Sequence, residues 1–312
     1  MSPPQPTLLA LNNFPSSFPA AKAGWALVHF LSSFGIYGAL GFRFIVLRRA
    51  AASPMGTDLL LGVRAPMERR TALVGMAGSA LLLLNLCGAA GRTAESGKLS
   101  LWQAAGQMGP QYLAQLVFGL CLLGLFTWAA PKRSWVWPAA AAVALALALR
   151  KSVTAQWTTL VNPLHEVSAS LWLGTLFVLV VVGIPTVLRS PGLADRRGPL
   201  VARMVNCFSP LALCASALLG VTGVVTSWLK LRYLSALWTT PVGYVLLAKL
   251  AVVLVIVGLG GWNWQRLTPK LDTERGVIEL RRSSALELWF AVVVLLLTAV
   301  LVVMPSPAIP QK

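Results

Sequence analysis

The chain has 312 residues, of which 57% are hydrophobic and 11% are charged, and its mean hydropathy is +0.74. Ordinary soluble domains carry about 25% charged residues, so this composition excludes a soluble globular protein. The apolar residues occur in blocks of about 20, the length that an α-helix needs to cross ~30 Å of hydrocarbon. The sequence therefore predicts an all-α, polytopic helical membrane protein embedded in a lipid bilayer.

Eight apolar segments follow one another along the chain, and each predicts a transmembrane helix. They form two four-helix halves, at 24–150 and 165–304, with an extramembrane tail at 1–23 and a C-terminal tail at 305–312. The first tail is rich in proline and lacks the basic start of a cleaved signal peptide. The fourth segment is the shortest and is rich in alanine. The predicted segments are 24–47, 71–90, 112–130, 135–150, 165–188, 205–229, 243–263 and 283–304.

The formal charge of +17 comes from 26 Lys and Arg residues against 9 Asp and Glu residues. A soluble protein with this charge would be expected to bind nucleic acid, but in a membrane protein the cytoplasmic loops collect basic residues. Eight spans leave 16 basic residues on one side and 8 on the other. The asymmetry predicts a multi-pass protein of the cytoplasmic (inner) membrane with both termini in the periplasm, and no nucleic-acid partner. The 8 residues on the periplasmic side are Lys22, Arg92, Lys98, Arg150, Lys151, Lys230, Arg232 and Lys312.

The chain has 2 histidines, and each begins an apolar segment on the predicted periplasmic side. From His29 the sequence reads HFLSSFGIYGALGF, and from His165 it reads HEVSASLWLGTLFV, with Ser, Gly and Leu at the same offsets. The echo predicts that the two halves are related by an internal repeat. Two hypotheses stay open: the histidines hold a metal ion or a haem between their helices, or each caps its helix at the membrane interface.

Three stretches of the second half together resemble the CopD family of copper-resistance membrane proteins. They are LWLGTL at 171–176 after His165, TTPVGYVLLAKL at 239–250, and LRRSSALELWF at 280–290. The resemblance implies a cytoplasmic-membrane protein that transports or tolerates copper, often together with a periplasmic copper-binding protein. Members of the family often carry a Gly-His-Ala-like element before the position of His165, where this chain has RKSVTAQ at 150–156.

Monovalent copper prefers thiolate, thioether and imidazole ligands, which limits the candidate metal ligands. Three of them lie near the periplasmic ends of their helices, and two thiols lie lower on the sixth helix, seven residues apart and so on one face. For the two cysteines, the interpretation as ordinary buried core residues is favoured over a role as ligands. The five candidate ligands are His29, His165, Met304, Cys214 and Cys207.

Three further ionisable residues suggest a polar route through the bundle, because charges inside membrane spans usually face a cavity or a partner. Lys249 and Glu287 lie within the last two spans, and Glu166 lies beside His165. Depth along the helices argues against a direct ion pair between Lys249 and Glu287 and favours an arginine partner for Glu287. Arg43, near the basic end of the first span, is expected to snorkel to the headgroups.

The chain contains no P-loop, no HExxH zinc motif and no signature of a phosphorylated-aspartate pump, so we expect no enzymatic activity. Copper handling is the leading hypothesis, with copper as the bound metal. The first alternative is a membrane cytochrome b in which His29 and His165 ligate one haem b. The second is a non-catalytic structural subunit of a membrane complex.

Overall fold

Long apolar helices, packed side by side, account for most of the chain. The computed structural model describes residues 19–52, 57–58, 60–129, 133–150, 157–271 and 273–307, and within these ranges it contains helices and turns but no strand. Most of the two predicted tails, residues 1–18 and 308–312, lies outside the described residues. The same is true of Lys132 and Lys151. Helix begins at Ala20, so the last four residues of the predicted N-terminal tail are helical.

The described residues contain eight apolar helices, one at each predicted segment. Seven are long and apolar enough to cross a membrane, and the eighth has 14 residues. This confirms the prediction of a polytopic all-α membrane protein. Two short helices, Leu101–Gln107 and Ala236–Thr239, connect their neighbours. We label the apolar helices α1 (Ala20–Ala50), α2 (Arg64–Gly97), α3 (Pro110–Trp128), α4 (Val136–Leu149), α5 (Leu160–Leu188), α6 (Arg197–Leu231), α7 (Pro241–Lys270) and α8 (Glu274–Val303).

Helices α1 and α5 occupy the centre of the bundle, because most of each is buried whereas most of the other long helices faces outwards. Glycines permit this central contact. A Cβ atom on Gly38 of α1 would lie 2.5 Å from the backbone of Gly174 in α5, and one on Gly35 would lie 2.8 Å from Gly78 in α2. Small residues of this kind let transmembrane helices approach at backbone distance.

The short helix α4 connects the two ends of the bundle. Its buried residues include Trp137 near its start and Ala144 near its end, and the Tyr37 hydroxyl of α1 donates to the Ala144 carbonyl oxygen at 3.0 Å. Its 14 residues correspond to about 21 Å at the rise of an α-helix, which is short for a membrane span.

Several helices contain π-helical turns, which insert an extra residue and rotate the side chains that follow. One lies in α1 at Phe42–Leu47, two lie in α5 at Ser170–Gly174 and Leu179–Gly183, and one lies in α7 at Asn263–Leu267. Three of the four therefore belong to the two central helices.

Contacts between helix ends show the directions in which the helices run. Helices α1 and α5 are parallel, as are α6 and α8, whereas α5 and α6 run in opposite directions because His165 near the start of α5 meets Thr222 near the end of α6. His29 and Glu166 meet near the starts of α1 and α5, and Lys230 at the end of α6 donates to the carbonyl oxygen of Met304 at the end of α8. We call this side of the bundle the His29 end. The Arg43 end is the opposite side, where Arg43 of α1 meets Glu68 of α2.

Candidate functional site

A small polar cavity opens at the His29 end, where α1, α4 and α5 converge. At its centre the Nε2 atom of His29 lies 3.0 Å from Oε1 of Glu166, and both side chains are partly exposed. The cavity has a volume of about 40 Å³. The pair joins an imidazole of α1 to a carboxylate of α5, two residues that are far apart in the sequence.

Two hydroxyl groups and a guanidinium surround this pair. Ser33, one turn along α1 from His29, donates from Oγ to the same Oε1 of Glu166 at 2.5 Å. Tyr37 and Arg150 also line the cavity. Burial lowers the pKa of the Arg150 guanidinium from its ordinary value, and the negative charge of Glu166 opposes that shift. Arg150 donates to Oε1 of Gln115 at 3.1 Å and also to the Leu147 carbonyl oxygen.

His165 lies beside Glu166 in sequence but faces a different side of α5. Its Nδ1 atom lies 3.0 Å from the Thr222 hydroxyl of α6, and its ring packs against Gly223. Lys249 of α7 acts on it electrostatically. Consecutive residues on a helix point about 100° apart, which explains why Glu166 reaches α1 while His165 reaches α6. The structure brings His29 to Glu166 and gives His165 different partners.

The three sulfur-containing candidates lie away from the cavity lining. Met304 packs in a small apolar cluster with Leu231 and Val242. Cys214 is exposed on the surface of α6, and Cys207 is half-buried against the apolar core. Among the described residues, no three His, Cys, Asp or Glu side chains lie together as a metal-binding group.

Glu287 lies in a polar contact toward the Arg43 end. The Asn263 amide donates to its carboxylate, and Gly260 lies close to its second oxygen. The partner is thus an amide, and the sequence-based expectation of an arginine partner was wrong. Within the described residues no ion pair joins Glu287 to Lys249, in agreement with their separation in depth.

Sequence analysis missed an ionic centre at the Arg43 end. Glu68 is 4% exposed, and its Oε1 lies 3.3 Å from Nε of Arg43 and 3.0 Å from Nε of Arg64. Arg43, 9% exposed, also lies over the Trp137 ring of α4 at 5.6 Å. The expectation that Arg43 snorkels was therefore wrong, because it has a buried carboxylate partner on α2. The sequence signal was a lone glutamate four residues after Arg64.

Comparison with known proteins identifies one family. Residues 202–301, from early in α6 to near the end of α8, match the family Copper resistance protein D. Comparison with curated proteins and with solved structures gives no match. The match covers 100 of the 312 residues and supports the resemblance to this family that was predicted for the second half of the chain. It begins well after His165 and includes neither residue of the His29–Glu166 pair.

Proposed function

We propose that this protein handles copper at the cytoplasmic membrane, by transport or tolerance, and that His29 and Glu166 form its first binding site for the ion. The observation that carries the proposal is the contact of an imidazole with a carboxylate in an open polar cavity of a membrane bundle. Imidazole is a common ligand of copper, and a carboxylate adds the negative charge that attracts a cation. The similarity of residues 202–301 to Copper resistance protein D supports copper as the metal in this proposal.

We further propose that the other predicted residues shape the route beyond this site. His165 and Lys249 continue the polar surface between α5, α6 and α7. Glu287 provides a polar group nearer the Arg43 end. Met304, Cys214 and Cys207 stay in this proposal as later contacts for copper, since none lines the cavity.

The geometry does not favour a haem between the two histidines. A haem with two axial imidazoles needs both rings to face one cofactor. The ring of His29 is directed to Glu166, whereas that of His165 is directed to Thr222 and Gly223.

The last part of the proposal is the orientation of the protein in the membrane. The positive-inside rule puts the His29 end in the periplasm, where a soluble copper-binding protein would deliver or accept the ion. The cavity then faces the compartment of that partner.

The test is copper accumulation in cells that express the protein. Replacing both residues, His29→Ala with Glu166→Gln, is expected to abolish the change in cell-associated copper that the wild-type protein causes. Cys121→Ser, at an exposed position away from the cavity, serves as the matched control and should behave as wild type. Unchanged accumulation by a double variant that is inserted normally would contradict the proposal and favour a structural subunit.

A further inference from the structure

The donor atoms of the cavity differ from those that the sequence led us to expect. A site for monovalent copper is built from soft sulfur ligands or from imidazoles, whereas nitrogen and oxygen ligands in a tetragonal arrangement favour divalent copper. The His29–Glu166 pair offers one imidazole nitrogen and one carboxylate oxygen, 3.0 Å apart. The two donor types, nitrogen and oxygen, are those that favour divalent copper.

Sulfur is missing from the cavity lining, as far as the described residues extend. The thioether of Met304 is buried among apolar side chains, where the Lys230 ammonium holds its backbone carbonyl. Cys214 is exposed on α6. A monovalent copper ion in this cavity would therefore have one imidazole ligand. Its other ligands would be a carboxylate and hydroxyls, which monovalent copper binds poorly.

The remaining ligands of a divalent ion are available from water. A cavity of about 40 Å³ that opens to the surface holds water molecules, which need only about 10–15 Å³ each on this measure. The ion would take the place of the contact between His29 and Glu166 and complete its coordination with water and the Ser33 hydroxyl. With two strong protein ligands the site is exchangeable, as a site that passes its ion onwards must be.

Arg150 restricts the occupancy of the site. Its guanidinium lines the same cavity and interacts electrostatically with Glu166. After one divalent cation has neutralised the Glu166 carboxylate, the positive charge of Arg150 opposes the binding of a second cation. The cavity therefore suits a single ion.

We infer that the cavity binds one divalent copper ion through Nε2 of His29 and the carboxylate of Glu166, with water and the Ser33 hydroxyl as the other ligands. The inference rests on the proposed function and adds the oxidation state and the ligand set of the incoming ion. No electron transfer is involved at this step. Copper enters and leaves the site as Cu²⁺.

Electron paramagnetic resonance of the purified full-length protein, titrated with Cu²⁺, tests the inference. Wild-type protein should give an axial spectrum for one bound ion with coupling to a single imidazole nitrogen. His29→Ala should lose that nitrogen coupling, and Glu166→Gln should weaken binding at least tenfold. His165→Ala distinguishes the two histidines as ligands and should keep the nitrogen coupling, because His165 faces Thr222.

Monovalent copper provides the opposing measurement. In anaerobic competition with a Cu⁺ chelator the wild-type protein should hold Cu⁺ more weakly than the His29–Glu166 site holds Cu²⁺. Tight binding of Cu⁺ without Cu²⁺ would overturn the oxidation state and leave copper handling intact, whereas loss of the nitrogen coupling in His165→Ala would overturn the ligand set. If the protein bound neither Cu⁺ nor Cu²⁺, and the double variant accumulated as much copper in cells as the wild-type protein, the proposed function would be overturned as well. His29→Gln replaces His29→Ala if the alanine variant fails to elute as a single folded species.

Discussion

At the residue scale, the buried carboxylate of Glu68 has the largest expected effect on stability. It lies between the guanidinium groups of Arg43 and Arg64, and Arg43 is itself 9% exposed. Removing one partner of a buried ion pair leaves an uncompensated charge, which costs about 3–5 kcal/mol. We expect Glu68→Ala to lower the free energy of unfolding by about 3 kcal/mol, measured by denaturant titration in detergent micelles.

The exposed pair of Arg275 and Glu279 provides the matched control. It also joins residues four apart on one helix, but its side chains are 91% and 43% exposed. Exposed ion pairs contribute little, so Glu279→Ala should change stability far less than Glu68→Ala. Equal effects of the two substitutions would show that the Glu68 charge is not the source of the stabilisation.

The same residues show which part of the site the sequence could not predict. Composition and helix ends were sufficient to place His29 and His165 near one end of the bundle. The partners of each side chain depend on the rotation of every helix about its axis. A difference of 100° between neighbours decides that Glu166, and not His165, meets His29. Arg43 was misjudged for the same reason, since Glu68 belongs to another helix.

At the scale of elements, the contact between α1 and α5 depends on glycine. A Cβ atom on Gly38 would lie 2.5 Å from backbone atoms of Gly174, and backbone cannot move aside as a flexible side chain can. Gly38→Ala should therefore force the two central helices apart and destabilise the protein by about 1–3 kcal/mol, the usual cost of overpacking. Thermal unfolding in micelles measures this effect.

Gly124→Ala in α3 is the control for that substitution. A Cβ atom at Gly124 meets no atom within 4 Å, and alanine is the better helix former in a helix interior. This variant should be as stable as wild type or slightly more so. If Gly38→Ala were equally harmless, the close approach of α1 and α5 would not contribute to stability.

The positions of the helices follow directly from hydropathy, whereas their internal irregularities do not. All eight predicted segments contain an apolar helix, and the helices extend beyond the predictions mainly into polar ends such as Arg64–Glu68. The π-helical turns of α1 and α5 leave no comparable signal, because one extra residue in a turn does not change the hydropathy of the segment.

At the scale of the whole molecule, the number of crossings depends on α4. It has 14 residues, fewer than a typical span, yet it contacts both ends of the bundle. Trp137 lies against Arg43 at one end, and Arg150, which follows the helix, lines the cavity with Glu166 at the other. We therefore expect α4 to cross the apolar layer, with the membrane thinned locally or the Arg150 side chain reaching to the interface.

Eight crossings would put the two chain termini on the same side of the membrane, and the distribution of basic loops predicts that this side is the periplasm. Alkaline phosphatase, which folds only outside the cytoplasm, should therefore be active when fused after Pro307, and a fluorescent protein that fails to mature there should stay dark. Fusions in the loop after Leu188 should give the reverse result, which controls for expression. If α4 did not cross the membrane, the two termini would lie on opposite sides of it. An epitope at the N-terminus and an epitope at the C-terminus would then be accessible from opposite faces of the membrane.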